Sequence, residues 1–317
     1  MAQFLSEINQ PGIFMNHPFV SIVLCTYNGA LYIEEQVHSI LNQTYRNIEL
    51  IVVDDMSTDT TKELVLEMAK NDDRIRFSQN ERNLGYNLNF NYACSISKGE
   101  LIAIADHDDI WVPEKIEILV NVIQRKKETL LVHGISARFS EHKKPSIKSI
   151  KLVNFHEGND PRMLFLYNPI SGHNMLFRKE LLNIALPFPK DVYYDWWLAI
   201  KACCFGNIVH VNQILVWHRV HDSNATGAAK PKTPFYKQAV INLGYFIAIP
   251  EMSRDAKNMA NHLYNEYKKF PDRKIRIRFF LYVMTHARTL FAHKKRLFPW
   301  FSYIKHSMRV TSVKARA

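Results

Sequence analysis

The chain has 317 residues, 47% of them apolar, enough to bury a sizeable core as one large domain with an appendage, or as two domains. Its net charge of +11 is unevenly placed: residues 228 to 317 hold 19 lysines and arginines against 4 acids, whereas residues 1 to 227 are slightly acidic. No helix-turn-helix, ribonucleoprotein or finger pattern accompanies those charges, so nucleic acid is excluded as the partner, and the four cysteines (Cys25, Cys94, Cys203, Cys204) lack the spacing of a zinc site or a disulfide framework.

Residues 1–19 read as an N-terminal arm without the basic and apolar regions of a signal peptide, and no apolar run reaches about 18 residues. The expectation is a protein of the reducing cytoplasm, held at most peripherally on the inner face of the membrane. From Val20 the pattern alternates. "VSIVLCT" is a strand, "ALYIEEQVHSILNQ" carries apolar residues at helical spacing, "IELIVVDD" is a second strand ending in acids, and "STDTTKELVLEMAK" is a helix with Ser and Thr before it. "RIRFSQ" follows as a strand, "NLNFNYACSISKG" as a helix closed by Gly99, and "ELIAIAD" as a fourth strand. Pro113 is placed to start the next helix. This order predicts an α/β fold, a mostly parallel central sheet flanked by helices, with ligands at the carboxyl ends of the strands.

Further on, "LLVHGISARFS" reads as a strand, Glu141 to Lys151 as an exposed loop, "NMLFRKELL" as a strand leading into a helix, and "DWWLAIKACCFGN" as a helix closed by Gly206. "VWHRVHDSNATG" reads as a polar loop. From about Pro234 the pattern is helical, interrupted at Pro250, Pro271 and Pro299. The expected division is 20–227 as the catalytic unit, split near residue 125, with 228–317 as a basic helical region.

Two acidic clusters close two strands: Asp54 and Asp55, then Asp106, Asp108 and Asp109. Carboxylates gathered at one crevice suit a hard divalent cation, and Mg²⁺ typically binds through one or two carboxylates plus substrate phosphates. Helix capping is the plain alternative; it suffices for Asp59 and serves equally well for Asp54, but one cap does not need the three acids of "DHDD". No glycine-rich phosphate loop of the dinucleotide or P-loop type is present, which disfavours dehydrogenases and P-loop kinases.

The stretch "VSIVLCTYNGALYIEEQVHSILNQTYRNIELIVVDDMSTDTT", followed by "NLGYNLNFNYACSISKGELIAIADHDDIWVPEKI", resembles the nucleotide-sugar half of family 2 glycosyltransferases of GT-A fold. "GHNMLFRKELL" and "YYDWWLAIKACCFGN" resemble the acceptor half. The resemblance implies that Thr26, Tyr27 and Asn28 line the base and ribose, that Asp55 accepts from the pyrimidine ring, and that Asn83 and Gly85 border the nucleotide. It makes Asp106 and Asp108 the outer positions of a D-x-D motif, with Asp108 on Mg²⁺ or Mn²⁺, Asp106 on the ribose or a metal-bound water, and Asp109 beside them. Asp195 takes the place of the catalytic base; an N-cap for its helix is the other reading. Trp196 and Trp197 divide between sugar stacking and core packing. His173 faces the acceptor or satisfies backbone, and Arg219 and His221 approach the diphosphate or metal, or simply occupy a polar loop.

Without the Q-x-x-R-W motif and membrane spans of processive synthases, the resemblance implies non-processive transfer of one sugar to a glycan or lipid-linked glycan, in bacterial surface polysaccharide assembly as in rhamnosyltransferase-like members. A sugar nucleotidyltransferase and a non-catalytic glycan- or lipid-binding module are the alternatives. The first expects a glycine-rich basic loop where "CTYNGA" stands, and the second has no need of a base. Two readings of the basic C-terminal region stay open, an amphipathic surface for anionic membrane and a helical subdomain packed on the catalytic body.

Overall fold

Strands buried on both faces read as unbroken apolar runs rather than alternating ones. In the computed structural model, which describes residues 17–140, 143–146, 153–221, 233–270, 277–295 and 298–312, this holds for β1 (Val20–Thr26) and β2 (Ile48–Asp54), in which every residue is buried. Together with β3 (Ile75–Gln79) and β4 (Leu101–Asp106) they form a parallel set in the order β3-β2-β1-β4. Register places Thr26 beside Asp54, Asp54 beside Gln79, and Cys25 beside Asp106, so the acidic strand ends share one edge.

Beyond β4 the sheet changes direction. β5 (Ile110–Trp111), β6 (Thr129–Ser140), β7 (Lys143–Ser146), β8 (Met175–Arg178) and β9 (Asn207–Arg219) complete it. β8 lies antiparallel between β4 and β6, β9 runs parallel to β6, β5 pairs antiparallel with β9, and β7 folds back on β6. β9 corrects the polar loop expected from Val216: thirteen residues form a strand up to Arg219. Its pairing with β6 slips register at three places. Such bulges break the period-two alternation by which a strand is recognised.

Side chains on opposite faces of the parallel strands enter two separate cores. Ile22, Leu24, Leu50, Val52 and Ala103 meet α1 (Ile33–Leu41), α2 (Thr61–Asn71) and α4 (Lys115–Ile123). Val23, Ile51, Val53, Ile102 and Ile104 meet α3 (Tyr86–Ser95), α5 (Lys179–Ala185) and α6 (Tyr194–Phe205). This second core continues into α7 (Phe235–Ile247), α8 (Arg254–Lys268), α9 (Ile277–Thr285), α10 (Ala287–Leu290) and α11 (Pro299–Thr311) through Phe246, Leu263, Tyr267, Phe279, Phe291 and Val310. The inner faces of the basic C-terminal helices therefore pack on the body. Helix α3 ends at Ser95, short of the expected Gly99. Gly99 instead serves strand entry, where a Cβ would overlap Ser21 N and lie 2.8 Å from the Phe19 and Leu101 carbonyl oxygens.

All four cysteines are free thiols. Cys203 on α6 instead meets a buried histidine pair: His156 Nε2 lies 3.1 Å from its Sγ, and His133 Nε2 donates to the His156 carbonyl at 2.9 Å. Burial pushes His133 down to about 3 and His156 down to about 4. Both rings are neutral in the folded chain and protonate on unfolding, so their contribution is present above pH ~6.5 and is lost as pH falls toward those values. Each histidine should cost about 1.4 kcal/mol of stability per pH unit in that window. Denaturant unfolding at descending pH checks this, with His156→Gln flattening the slope; an unchanged slope in that variant would contradict it.

Candidate active site

The turns that follow the parallel strands build the crevice. Asp54 closes its own turn, accepting from Ser57 N at 3.0 Å, from the Ser57 hydroxyl and from Gln79 Nε2 at 2.8 Å. Asp59 accepts from Thr61 N at 3.0 Å and Ala30 N at 3.2 Å, holding the start of α2 against the first loop. Asn28 and Met56 both adopt positive φ, 51° and 67°, each two residues past its strand end, a conformation uncommon outside glycine. Asn28 Oδ1 accepts from Thr58 N at 2.8 Å, which ties the loop after β1 to the loop after β2. Tyr27 next to it is exposed, and Thr26 is buried with its hydroxyl unpartnered.

Asp55 organises the far wall. Its carboxylate accepts from Asn80 Nδ2 at 2.7 Å, Leu84 N at 2.8 Å and Gly85 N at 2.8 Å, and its carbonyl accepts from Asn83 Nδ2 at 3.0 Å. Gly85 sits at φ +79°, which glycine adopts without strain, and so delivers its N–H to the acid as α3 begins. Three donors leave about one of the four lone-pair directions of the Asp55 carboxylate free.

The acids after β4 each meet a histidine. His173 Nδ1 donates to Asp106 Oδ2 at 2.9 Å, His221 Nε2 to Asp108 Oδ2 at 2.8 Å, and His218 Nδ1 to Asp109 Oδ1 at 2.9 Å. His173 also lies 3.4 Å from Asp109 Oδ2 and stacks on His218 with ring centroids 4.9 Å apart. Burial favours the neutral ring, yet the charges of Asp109 and Asp106 outweigh it and lift His173 to about 9. Burial likewise pushes the Asp106 carboxyl up, and the His173 bond with the neighbouring imidazoles brings it below the ordinary range. Asp106 is the most open of the three, and Asp109 is fully buried.

Lys115 enters from the opposite side. Fully buried, it donates from Nζ to the His173 carbonyl at 2.6 Å and stands 3.0 Å over the Trp111 ring centre. Burial pushes its pKa well down, with Asp109 and Asp106 opposing. Arg219 is held by Glu35, by the Asp108 carbonyl at 3.0 Å and between the rings of Tyr32 and Phe139. Sequence reasoning missed His218 and Lys115. Lys115 shares the stripe of Leu119 and Ile123 at i, i+4, i+8, a spacing that would have revealed it. His218 was hidden by reading the irregular end of β9 as loop.

Asp195 lies one residue inside α6, not at its cap, which is Tyr193. Asn87 of α3 fixes this helix start: its amide donates to Pro189 O at 2.7 Å and Val192 O at 2.8 Å and accepts from Tyr194 N at 3.0 Å. Gly172 lies against the Tyr194 ring with no room for a Cβ. Burial pushes Asp195 up to about 6 against the Trp196 N–H bond of 2.6 Å, and the charge of Asp106 adds to the rise. The carboxylate borders a cleft of about 400 Å³ lined by Phe165, Tyr167, Tyr193, Trp196, Phe235 and Asn242. Trp196 lines this cleft while also packing on the core and donating to Leu164 O at 2.6 Å, whereas Trp197 is buried and donates to Ala185 O at 2.8 Å.

Residues 21–184 match the family described as glycosyl transferase family 2. The chain belongs to glycosyltransferase family 2. An uncharacterised glycosyltransferase of Haemophilus influenzae is 31% identical over 227 residues, spanning 67% of this chain and 68% of that protein. Another, from Methanocaldococcus jannaschii, is 41% identical over 194 residues, or 59% of this chain and 66% of that protein. In fold, this family 2 glycosyltransferase is similar to S. aureus TarS, solved with UDP-GlcNAc (TM-score 0.62, 19% identity, 92% of this chain and 81% of the other). It is also similar to the mannosyltransferase PcManGT from Pyrobaculum calidifontis, solved with GDP-Man and Mn²⁺ (TM-score 0.54, 17% identity, 96% and 90%). The architecture is GT-A.

Asp109 is the buried anchor of the acid–histidine cluster, accepting also from Arg219 N at 3.2 Å. Asp109→Asn leaves charged His173 with one carboxylate instead of two, and breaking a buried pair costs about 3–5 kcal/mol. Denaturant unfolding should show a loss of that order; stability close to wild type would contradict the anchoring role.

Proposed function

We propose that the protein transfers a single sugar from a nucleoside-diphosphate-sugar to a hydroxyl of a glycan or lipid-linked glycan, non-processively and with inversion, in the assembly of bacterial surface polysaccharide. One observation carries the reading: a half-buried carboxylate, Asp195, borders an aromatic cleft near the Asp106 end of β4. The complexes of the two fold neighbours with UDP-GlcNAc and GDP-Man support a sugar nucleotide as donor.

A divalent cation fits the acid cluster. Ligand oxygens of Asp106, Asp108 and Asp109 all lie within 4.8 Å of one another, and Asp109 Oδ2 is buried with no hydrogen-bond partner. Asp108 and Asp106 would hold Mg²⁺ or Mn²⁺, with His221 at hand as a nitrogen ligand, and the ion would offset charge on the leaving diphosphate. Tyr27 presents a ring face for the base, Thr26 and Asn28 line its loop, and the spare lone pair of Asp55 accepts from a pyrimidine N–H. Asn83 and Gly85 close the wall beside it. Asp195 takes the proton of the acceptor hydroxyl as that oxygen bonds to the anomeric carbon, while the bond to the diphosphate breaks and its electrons leave with the diphosphate. A single displacement inverts the anomeric centre. Trp196 stacks on the acceptor, and His173 and Arg219 position the acids and their loop instead of contacting sugar.

Asp195→Asn should lower turnover by about 10²–10⁴-fold while nucleotide-dependent thermal stabilisation with Mn²⁺ stays as in wild type; turnover at the wild-type level would remove Asp195 as the base. Because the base works ionised, kcat/KM should fall about tenfold per unit as pH drops below about 6. Asp108→Ala should abolish the difference between Mn²⁺ and EDTA in nucleotide stabilisation. No stabilisation of wild type by any nucleoside diphosphate or sugar nucleotide would sink the donor assignment.

A further inference from the structure

From Arg273 to Ala317 the chain contains twelve lysines and arginines and no aspartate or glutamate. Where this segment is described, its outer surface is apolar as well as basic. Phe298, Trp300 and Phe301, at the start of α11, are 73%, 64% and 73% exposed, and Met308 on the same helix and Ile277 and Leu281 on α9 are more than half exposed. Arg278, Lys305 and Arg309 are exposed among them. The spacing is helical: Ile277 and Leu281 are four residues apart, and Phe298, Phe301, Lys305 and Met308 follow at three and four. The inner faces of both helices are already occupied by Phe279, Val283 and Val310 in the core, so the outer residues are surplus to folding.

We propose that this outer face of α9 and α11 binds a bilayer surface rich in anionic lipid. Large aromatic side chains beside lysine and arginine, with no acid between them, match the headgroup boundary, where rings sit at the interface and cations meet lipid phosphates. The helix α11 that bears this surface packs toward the cleft of Asp195 through its inner side. Tyr167, on the cleft wall, stands 6.2 Å from Phe291 between ring centres, and Phe291 stands 5.5 Å from His306 of α11. Resting on the transferase reading, this proximity makes an acceptor carried on lipid the substrate class the site is placed to meet. Among the described residues no helix is long and apolar enough to cross a membrane.

Cosedimentation of the full chain with phosphatidylcholine vesicles, with and without phosphatidylglycerol, tests the proposal. Wild type should bind the anionic vesicles, release at high salt, and ignore phosphatidylcholine alone. Arg278→Glu, Lys305→Glu and Arg309→Glu together should abolish binding, and Phe298→Ser, Trp300→Ser and Phe301→Ser together should weaken it about tenfold or more, from the apolar area no longer buried. Both variants should keep wild-type melting temperatures and nucleotide stabilisation. Wild type bound to neither vesicle, or a charge-reversed variant bound as well as wild type, would overturn the proposal. So would duplex DNA held as tightly as vesicles, or a wild-type dimer that the aromatic substitutions dissociate. Loss of nucleotide stabilisation in wild type with vesicle binding intact would strike the transferase reading alone.

Discussion

Mutual repulsion of Asp106, Asp108 and Asp109 is the constraint around which the second half of the sheet is arranged. Two like charges about 4 Å apart repel by about 4 kcal/mol at the dielectric typical near a protein surface, so three in four residues need compensation from outside their own loop. It comes as charge from His173, ahead of β8, and as hydrogen bonds from His218 and His221, at and just beyond the end of β9. These strands join the sheet beside the parallel set, with β8 antiparallel directly on β4. The change of direction beyond β4 thus brings imidazoles to the acids. Lys115 adds a buried amine on the other side without neutralising the cluster outright, since its own burial disfavours the charge.

The balance is uneven by design of the geometry. Asp109, buried and held by His218 and the Arg219 backbone, behaves as structure, Asp108 is buried and bonded to His221, and Asp106 keeps the most open carboxylate. A cluster in which one member is fixed and another stays open can hold its shape and still exchange a hydrogen bond for a cation. Asp195 is set apart from these pairs, so its carboxyl responds mainly to burial.

The first half of the molecule was legible because its physics is local. Unbroken apolar runs announced β1, β2 and β4, and helical spacing announced α1 and α2. Asp55 and Asp106 were found because acids ending buried strands stand out against their surroundings. What the residues did not disclose is long-range: that Asp55 spends most of its carboxylate on the loop of Asn80, Leu84 and Gly85, that Arg219 is claimed by Glu35, and that β9 runs on through the histidines despite its slipped register. Asp195 was placed by resemblance; its raised pKa follows from burial that only tertiary packing reveals. The basic C-terminal region was legible as helix, yet its two faces separate only when Phe279, Phe291 and Val310 are seen to enter the core.

The amide of Asn87 joins the two halves of the enzyme through main-chain atoms alone, the Pro189 and Val192 carbonyls and the Tyr194 N–H. A joint of this kind is indifferent to which side chains the partner segment displays. Residues that shape the cleft beside Asp195 can therefore be exchanged over evolutionary time, so long as the backbone path survives, without shifting Asp195 relative to the crevice of the parallel strands. Variation of that cleft on a constant parallel-strand platform is the freedom that one asparagine confers.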